Sequence, residues 1–402
     1  MQQKIIGVLY ITYDGLCDPL GQSQVITYMK ELAKKDVHIV ILSFEKKGCL
    51  EEGEIFKAIK SELDRHKIIW KYLRYHNTPR IFATIYDIAR GVGNGFFLIK
   101  MHSLNITHAR GYVSAFIAFF LKGLIKLKFI FDMRGFWVDE KVDAGFWKKE
   151  SMGYRIAKFL EKGMLNLADR VVVLTEKARL FLASRGIKTG AEIDVIPTCV
   201  NPKVFEPLNG PKKEFLRNKL VILYSGSIGT FYGFTEIVRF FRFFLEKEPN
   251  AFFLALINTE PHLAENILQK HGIAECLYKV LNLNYLKVPE WVREADVSLM
   301  LYHRENSYAG CCPTKFAESL ACGVPVIINK NIGDCDEIIK KERIGFILDD
   351  LKDHDLRKVR DDFLLSLRER DKMRVRCRIV AERFFSLDSG VDKYLEIYNK
   401  LV

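Results

Sequence analysis

The chain has 402 residues, of which 49% are hydrophobic and 28% charged, and its formal net charge is +12 at pH 7. This length favours two domains, and this composition excludes a mainly disordered or fibrous protein. No apolar run reaches the roughly 18 residues of a membrane-spanning helix, so we expect a cytoplasmic protein without such a helix.

Strands and helices are predicted to alternate in the first half of the chain. Apolar runs rich in Ile and Val are typical of buried parallel strands, and the strand-helix-strand order indicates a sheet covered by helices. The predicted strands are 4–13, 38–44, 106–109, 128–132 and 171–175, and the predicted helices are 24–34 and 112–122. The glycines at 91, 93 and 95 follow a helical stretch, so we interpret them as a helix stop and not as a nucleotide loop.

A second alternating series follows a cluster of Pro, Asn and Gly residues at 201–211, which is typical of a linker. It predicts strands at 220–225, 252–256, 297–301 and 325–329, and helices at 234–245 and 314–321. We therefore predict a first domain over residues 1–197 and a second over 198–387. A C-terminal helix at 388–402 is predicted to cross back onto the first domain.

The positive charge is concentrated in one half of the chain. Residues 1–200 hold 31 Lys and Arg against 21 Asp and Glu, whereas residues 201–402 hold 31 against 29. This excess indicates a surface that faces a bilayer leaflet, a phosphorylated ligand or nucleic acid, unless it is only a solvated basic face. Basic residues interleaved with aromatic ones and recognised nucleic-acid modules are both missing, so we expect no nucleic-acid partner.

Nine cysteines without paired two-residue spacing fit neither a disulfide framework nor a zinc module, so we expect them to be reduced.

The segment 312–326 carries the most informative pair of charges. Lys315 and Glu318 lie three residues apart at the start of a predicted helix, so both project from one face near the positive end of its dipole. The carboxylate is suited to two ribose hydroxyls and the ammonium to a phosphate. The alternative is a structural ion pair between these two side chains.

Segment 312–326 resembles the Pro-x-Lys-x-x-Glu signature, followed by Ala-x-Gly-x-Pro-Val, of the retaining glycosyltransferases of family 4. Further segments resemble the same family in the same order, namely 10–15 with 18–24, 131–140, 168–170, 195–200 and 224–230. The resemblance implies the α/β GT-B fold, in which two Rossmann-like doubly wound domains face a central cleft. It also implies a nucleotide-sugar donor on the second domain, an acceptor on the first, and no cofactor or required metal. The Asp-x-Asp pairs at 334–336 and 353–355 are accordingly set aside as metal sites.

The resemblance also implies site residues. Gly21 is expected to lie under the donor diphosphate or the acceptor, because a glycine lets the backbone approach a ligand closely, unless it only forms a turn before a helix. The donor is also expected to contact the amide of Gly333. The further donor contacts implied are Gly226, Ser227, Gly229, Thr230, Pro313, Thr314, Lys315 and Glu318, the last on ribose. Two departures stand out: Gly310 replaces the first acid of the usual Glu-x7-Glu pair, and Ser227 and Tyr232 replace an Arg and a Lys. Lys315 is therefore our candidate for the diphosphate, together with amides near Gly229 and a helix N-terminus near Gly233.

Asp132 and Arg134 are further candidate catalytic residues, because the strand at 128–132 ends beside them. Arg134 takes the place of a His that is frequent in the family, and a guanidinium can hold a phosphate but cannot act as a base at neutral pH. The alternative is a structural pairing of Arg134 with Asp132 or Glu140.

These features predict a retaining, metal-independent glycosyltransferase that acts on a lipid-linked saccharide in cell-surface polysaccharide biosynthesis. The basic first domain is expected to bind the inner face of the plasma membrane peripherally, through residues 112–128 or 55–80. The alternatives are a nucleotide-sugar epimerase of the same fold and a catalytically inactive membrane-associated relative.

Overall fold

The computed structural model describes residues 5–51, 53–186, 192–229, 233–258, 260–303 and 306–402. They form two compact units: unit 1 comprises the residues up to Pro197 together with Leu387–Val402, and unit 2 comprises Thr198–Ser386. Each unit contains a sheet of parallel strands flanked by helices, which confirms the prediction of two Rossmann-like domains.

Unit 1 is built on a parallel sheet with the strand order β3-β2-β1-β4-β5-β6-β7. Its inner strands are apolar on both faces because helices cover both faces. The strands are β1 (Gly7–Thr12), β2 (His38–Glu45), β3 (Ile69–Arg74), β4 (Ile106–Arg110), β5 (Lys128–Asp132), β6 (Arg170–Val173) and β7 (Ile193–Val195). The helices before the linker are α1 (Pro19–Gly21), α2 (Thr27–Ala33), α3 (Lys47–Glu51), α4 (Glu54–Arg65), α5 (Arg80–His102), α6 (Gly111–Leu124), α7 (Trp137–Asp143), α8 (Met152–Leu167) and α9 (Glu176–Ser184).

Helix α5 corrects the interpretation of residues 91–95 as a helix stop, because the helix continues through them. A Cβ atom on Gly91 would lie 2.5 Å from Cδ1 of Ile117, and one on Gly95 would lie 2.8 Å from Cδ1 of Leu121. Both neighbours belong to α6. The two glycines are therefore there to let α5 and α6 pack closely, whereas a Cβ on Gly93 would meet nothing within 4 Å.

Unit 2 has a parallel sheet with the strand order β10-β9-β8-β11-β12-β13. Its strands are β8 (Leu220–Gly226), β9 (Ala251–Ile257), β10 (Tyr278–Asn282), β11 (Val297–Met300), β12 (Val326–Asn329) and β13 (Gly345–Leu348). Its helices are α10 (Phe234–Leu245), α11 (Pro261–Lys270), α12 (Val288–Val292), α13 (Thr314–Ala321), α14 (Cys335–Glu342), α15 (Asp353–Ser366) and α16 (Arg370–Phe385). Helix α10 buries a phenylalanine-rich face against this sheet, so its core is largely aromatic.

The last helix, α17 (Leu387–Leu401), belongs to unit 1. It packs against α2, where the rings of Tyr28 and Tyr394 meet edge to face with centroids 5.5 Å apart. Tyr394 and Tyr398 lie one turn apart on its buried face. Both rings thereby reach residues at the ends of β4 and β5, described below.

Candidate functional site

The carboxyl edge of the unit 2 sheet is where a ligand of a doubly wound domain binds. Strands β8, β11 and β12 end at this edge, and the backbone N–H of Tyr302 donates to Oδ1 of Asn329 at 2.8 Å, joining the ends of β11 and β12. Nδ2 of Asn329 is buried and has no partner among the described residues. A buried donor without a hydrogen-bond partner is costly, so this amide group is a candidate contact for a ligand.

Helix α13 presents the predicted Lys315 and Glu318. Pro313 precedes it in an extended conformation, which suits the start of a helix, and Gly323 follows it with a φ of +69°. The apolar side of the helix is anchored by Phe316, whose ring centroid lies 5.6 Å from that of Phe385 in α16. This packing fixes the position of the two charged side chains.

The environment of Glu318 is unusual for a carboxylate. Only 2% of the residue is exposed, yet its Oε1 has no hydrogen-bond partner in the described part of the chain. Burial raises the pKa of its carboxyl group, and the nearby Lys315 opposes that rise. Lys315 is half-buried, and these two described residues form no ion pair within 4 Å, so the structural ion-pair alternative is wrong. Among the described residues, no donor therefore satisfies Oε1 of this buried carboxylate.

The loop after β8 is shaped by Tyr224. Its Oη donates to the carbonyl oxygen of Ser227 at 2.6 Å, and a Cβ on Gly226 would lie 2.9 Å from the same Oη. Glycine is needed at 226 because the tyrosine hydroxyl occupies the space beside it, whereas a Cβ on Gly229 would meet nothing within 4 Å. The predicted Thr230 lies outside the described residues, as does Tyr232.

The N-terminus of α10, expected to help bind a diphosphate, is partly occupied. A Cβ on Gly233 would lie 2.8 Å from Oε2 of Glu236, so this carboxylate lies at the first turn of the helix. It weakens the attraction of that helix end for a further anion. Of the groups expected to bind the diphosphate, Lys315 and the N-terminus of α13 stay as predictions.

Gly333 does not offer the amide expected of it. Its N–H donates to the carbonyl oxygen of Tyr308 at 2.8 Å, and its φ is +48°, in the left-handed region. The glycine is therefore explained by backbone conformation and by the anchoring of the loop after β12. Pro313 and Thr314 lie directly at the start of α13, where the sequence predicts them to meet the donor.

The reason for glycine at position 21 also differs from the expected one. Gly21 is buried in a short helix, and a Cβ there would overlap the carbonyl oxygen of Gly15 and lie 2.6 Å from Cα of Leu16. The space of the missing side chain is filled by the loop's own backbone and not held open for a ligand. Contact between Gly21 and the donor stays a prediction without this geometric support.

Glu45, at the end of β2, holds that loop and is not found by the sequence reasoning. Its Oε1 accepts from the N–H of Leu16 at 2.7 Å and from Oγ of Ser43 at 2.6 Å, while Oε2 lies 3.4 Å from the N–H of Cys17. Burial raises the pKa of Glu45, and these hydrogen bonds oppose the rise. An acidic residue at the end of an otherwise apolar strand is the sequence signal that would have identified Glu45.

Cys17 in the same loop is joined to Cys49 of α3 by a disulfide, so the expectation that all cysteines are reduced is wrong for this pair.

Asp132 lies at the carboxyl end of β5 within a buried polar cluster. Its Oδ2 accepts from Oη of Tyr394 at 3.1 Å and lies 3.6 Å from Nε2 of His108, and its Oδ1 lies 3.4 Å from Arg134. Burial by itself would raise the pKa of Asp132, but Arg134, His108 and Arg110 outweigh it and hold that pKa well below its usual range. Burial lowers the pKa of His108, so its ring is neutral at neutral pH.

Asp132 is buried and both of its carboxylate oxygens accept hydrogen bonds, from Tyr394 and from Arg134, so its position does not support the expectation that it is a catalytic residue in contact with a substrate. It orients Arg134, whose partly exposed guanidinium pairs with Asp132 as the structural alternative predicted. Tyr394 and Tyr398 from α17 complete the cluster, the latter with Oη 2.6 Å from Nδ1 of His108. These tyrosines are missed from the sequence because some 260 residues separate Tyr394 from Asp132.

Glu140 in α7 is named from the sequence only as a possible structural partner of Arg134, and its own titration is not foreseen. Burial raises the pKa of its carboxyl group to about 7, with Lys141 opposing the rise and Asp143 adding to it. A Cβ on Gly135 would lie 2.5 Å from its Oε1, so the carboxylate lies over the loop that carries Arg134. A carboxyl group that titrates near neutral pH is a frequent feature of functional sites.

Comparison with known proteins covers both units. Residues 208–379 match the family model "Glycosyl transferases group 1", and residues 21–204 match "Glycosyltransferase Family 4". Together the two models span nearly the whole chain, and both describe glycosyltransferases, which supports transfer over the epimerase alternative. No curated protein sequence matches the chain significantly.

Solved structures share the fold at low sequence identity. A glycosyltransferase from Rickettsia africae is 17% identical, with a TM-score of 0.72 over 99% of each chain. Sucrose-phosphate synthase from Thermosynechococcus elongatus is 15% identical, with a TM-score of 0.75 over 98% of this chain and 99% of that one. HepE from Anabaena in complex with UDP-glucose is 11% identical, with a TM-score of 0.71 over 98% of this chain and 100% of that one.

Proposed function

This chain is a glycosyltransferase of family 4 with the GT-B fold, and we propose that it moves a sugar from a nucleoside diphosphate to a hydroxyl group of a lipid-linked saccharide, with retention of anomeric configuration. The step belongs to cell-surface polysaccharide biosynthesis at the cytoplasmic face of a membrane and requires no metal. The observation that carries the proposal is Glu318, a buried carboxylate with an unpartnered oxygen on a helix that also presents Lys315.

Glu318 is the proposed ribose ligand. Vicinal ribose hydroxyls would donate to its two oxygens and so satisfy Oε1, which has no partner among the described residues. Hydrogen bonds to a charged acceptor are stronger than neutral ones, and burial strengthens them further. A buried acid with this deficit is costly to the protein on its own, which favours a binding role over a structural one.

Lys315 is the proposed diphosphate ligand. It lies in the first turn of α13, where the N–H groups of the helix also favour an anion. HepE is described with UDP-glucose, which supports a nucleotide-sugar donor for this chain as well. Negative charge grows on the diphosphate as the bond to the sugar breaks, so a cation held there lowers the barrier.

The proposed chemical step is front-face substitution. The bond between the anomeric carbon and the phosphate oxygen breaks, and the acceptor oxygen attacks from the same face through an oxocarbenium-like state. The acceptor proton passes to the departing phosphate oxygen. Ser227 and Tyr232 stand where the family has an Arg and a Lys, so in this proposal the chain relies on Lys315 and α13 for leaving-group stabilisation.

The test is nucleotide release from UDP-, GDP-, ADP- and dTDP-sugars with a bacterial lipid extract, with and without EDTA. We expect release from one donor, unchanged by EDTA and at least tenfold slower in Glu318→Ala and Lys315→Ala. The matched control is Glu290→Gln, which removes an exposed acid of unit 2 that pairs with Lys287 on the surface. Absence of both release and donor binding for every donor would overturn the proposal, and loss of activity in EDTA would overturn its metal independence.

A further inference from the structure

Helix α5 has an unusual outer face. A surface helix normally turns polar side chains to water, but the outward residues of α5 are almost all apolar. Ile81 and Phe82 are each 74% exposed and Phe97 is 61% exposed. The exposed stripe consists of Ile81, Phe82, Ile85, Tyr86, Ala89, Gly93, Phe96, Phe97, Lys100 and Met101.

The opposite face of α5 is already buried in unit 1. Gly91 and Gly95 pack against α6, and Leu98 and Ile99 lie in the core beneath. The exposed stripe is therefore not a core face turned outward by a shift in register. It is a second apolar face on a helix whose first apolar face is satisfied, and contiguous exposed apolar surface of this kind marks an interaction site.

The apolar surface extends onto the neighbouring helices. Both α5 and α8 pack against α6. Phe120 and Leu124 are exposed at the end of α6, and Ile156 and Phe159 are exposed on α8. By contrast, most of residues 112–121 are buried, so the earlier candidate surface at 112–128 contributes only its last turn and the lysines that follow.

The residues around this apolar surface carry an excess of positive charge, which indicates an anionic partner. Residues 80–128 contain six Lys or Arg besides the buried Arg110, and a single acid, Asp87. Asp87 is fully buried and bonded to Tyr13 and His76, so this stretch offers no acid to a partner. Lys100 lies 6.0 Å from the ring centroid of Phe96, which places a cation at the edge of the apolar stripe. Apolar side chains rimmed by cations fit an anionic bilayer, where the cations meet lipid phosphates.

We propose that α5 lies in the plane of an anionic bilayer, with its exposed stripe inserted at the boundary between headgroups and acyl chains. Within the described residues, no helix has both the length and the apolarity to cross a bilayer, so the contact is interfacial. The proposal deepens the proposed function, since it names the surface that brings the enzyme to a lipid-linked acceptor.

Flotation of the full-length protein with vesicles tests this contact. We expect binding to vesicles of phosphatidylglycerol and phosphatidylcholine, and little binding to phosphatidylcholine alone. Phe82→Glu with Phe97→Glu should weaken vesicle binding at least tenfold. The matched control, Leu286→Glu with Leu365→Glu, changes two exposed apolar residues of unit 2 and should bind like wild type. Phe97→Trp should show a blue-shifted emission with anionic vesicles, and Leu365→Trp should not.

The outcomes separate this proposal from the proposed function. Donor hydrolysis in the absence of lipid should be equal in wild type and the α5 variant, because α5 lies outside the donor site. Vesicle binding that survives Phe82→Glu with Phe97→Glu would overturn the proposal, even with full activity. Absence of vesicle binding, together with a dimer that the same variant dissociates, would assign the stripe to a second copy of this chain. Absence of both nucleotide release and donor binding in wild type, with vesicle binding intact, would instead overturn the proposed function alone.

Discussion

Replacing Glu318 with Gln should stabilise the ligand-free protein while it weakens donor binding by roughly tenfold to a hundredfold. The carboxylate is buried and its Oε1 is unpartnered in the described structure, so removing its charge relieves a penalty of about 1–3 kcal/mol. At roughly 2–4 °C per kcal/mol for a domain of this size, the unfolding temperature of unit 2 should rise by several degrees. A residue with a structural partner would give the opposite sign.

The pH dependence of this stability gain shows whether the buried charge of Glu318 causes it. Burial raises the folded-state pKa of Glu318 above its unfolded value, so its contribution to stability is present below about pH 4 and is lost as pH rises through the folded pKa. The advantage of Glu318→Gln should therefore be larger at pH 7.5 than at pH 3, where the carboxyl group is protonated in both states.

The assay is thermal unfolding at several pH values with and without the donor identified by nucleotide release. Wild type should gain stability from the donor by mass action, and the variant should gain little, since losing a charge-assisted hydrogen bond costs about 1.5–3 kcal/mol. Glu290→Gln, on an exposed ion pair, should change neither quantity. A Glu318→Gln protein that is less stable than wild type at pH 7.5, or that binds donor equally well, would refute this reasoning.

Three further predictions concern unit 1. Gly91→Ala should lower the free energy of unfolding by about 1–3 kcal/mol, because its Cβ would lie 2.5 Å from Cδ1 of Ile117 in α6. Gly93→Ala should raise it by about 0.5–1 kcal/mol, because a Cβ there meets nothing within 4 Å. Chemical denaturation measures both variants, and equal effects would contradict the packing argument. Burial raises the pKa of Glu140 to about 7, so the unfolding free energy of wild type should fall by up to about 3 kcal/mol between pH 4.5 and 7. Glu140→Gln should not show this fall when unfolding is measured at each pH. A parallel fall in both proteins would show that another group causes it. Asp132→Asn should cost about 1.5–3 kcal/mol because it removes the charged acceptor that Arg134 and Tyr394 share. Tyr394→Phe should cost about 1–2 kcal/mol, and unfolding free energies are the readout for both variants. An Asp132→Asn protein of wild-type stability with lost activity would restore a direct catalytic role.

Local patterns predict much of the fold. The strand Lys128–Asp132 and the helices Phe234–Leu245 and Thr314–Ala321 have the predicted bounds, since each has a clear apolar period and a clear stop. Helix α5 is misjudged because its glycines look like a stop when considered locally. Their real cause is the close approach of Ile117 and Leu121 on α6, which no local pattern reveals.

Site residues, too, are predictable from the sequence only where local patterns determine them. Lys315 and Glu318 follow from helical spacing and family resemblance, because both partners of the motif lie on one helix. The roles of Glu45 and Tyr394 depend on contacts with Leu16 and Asp132, far away in sequence. Gly21 and Gly333 are correctly singled out as special backbone positions, but the space or N–H at each is used by the protein itself. Only tertiary packing shows this.

Transfer of a labelled sugar from its nucleotide donor to the lipid fraction is the most direct test of the account. Wild type should move the label into solvent-extractable lipid in step with nucleotide release, and Lys315→Ala should do so at least tenfold more slowly. An α-configured donor should give an α-linked product, read by NMR of the released saccharide. Label that stays on the nucleotide as an epimerised sugar, or wild-type transfer by Lys315→Ala, would contradict the central claim.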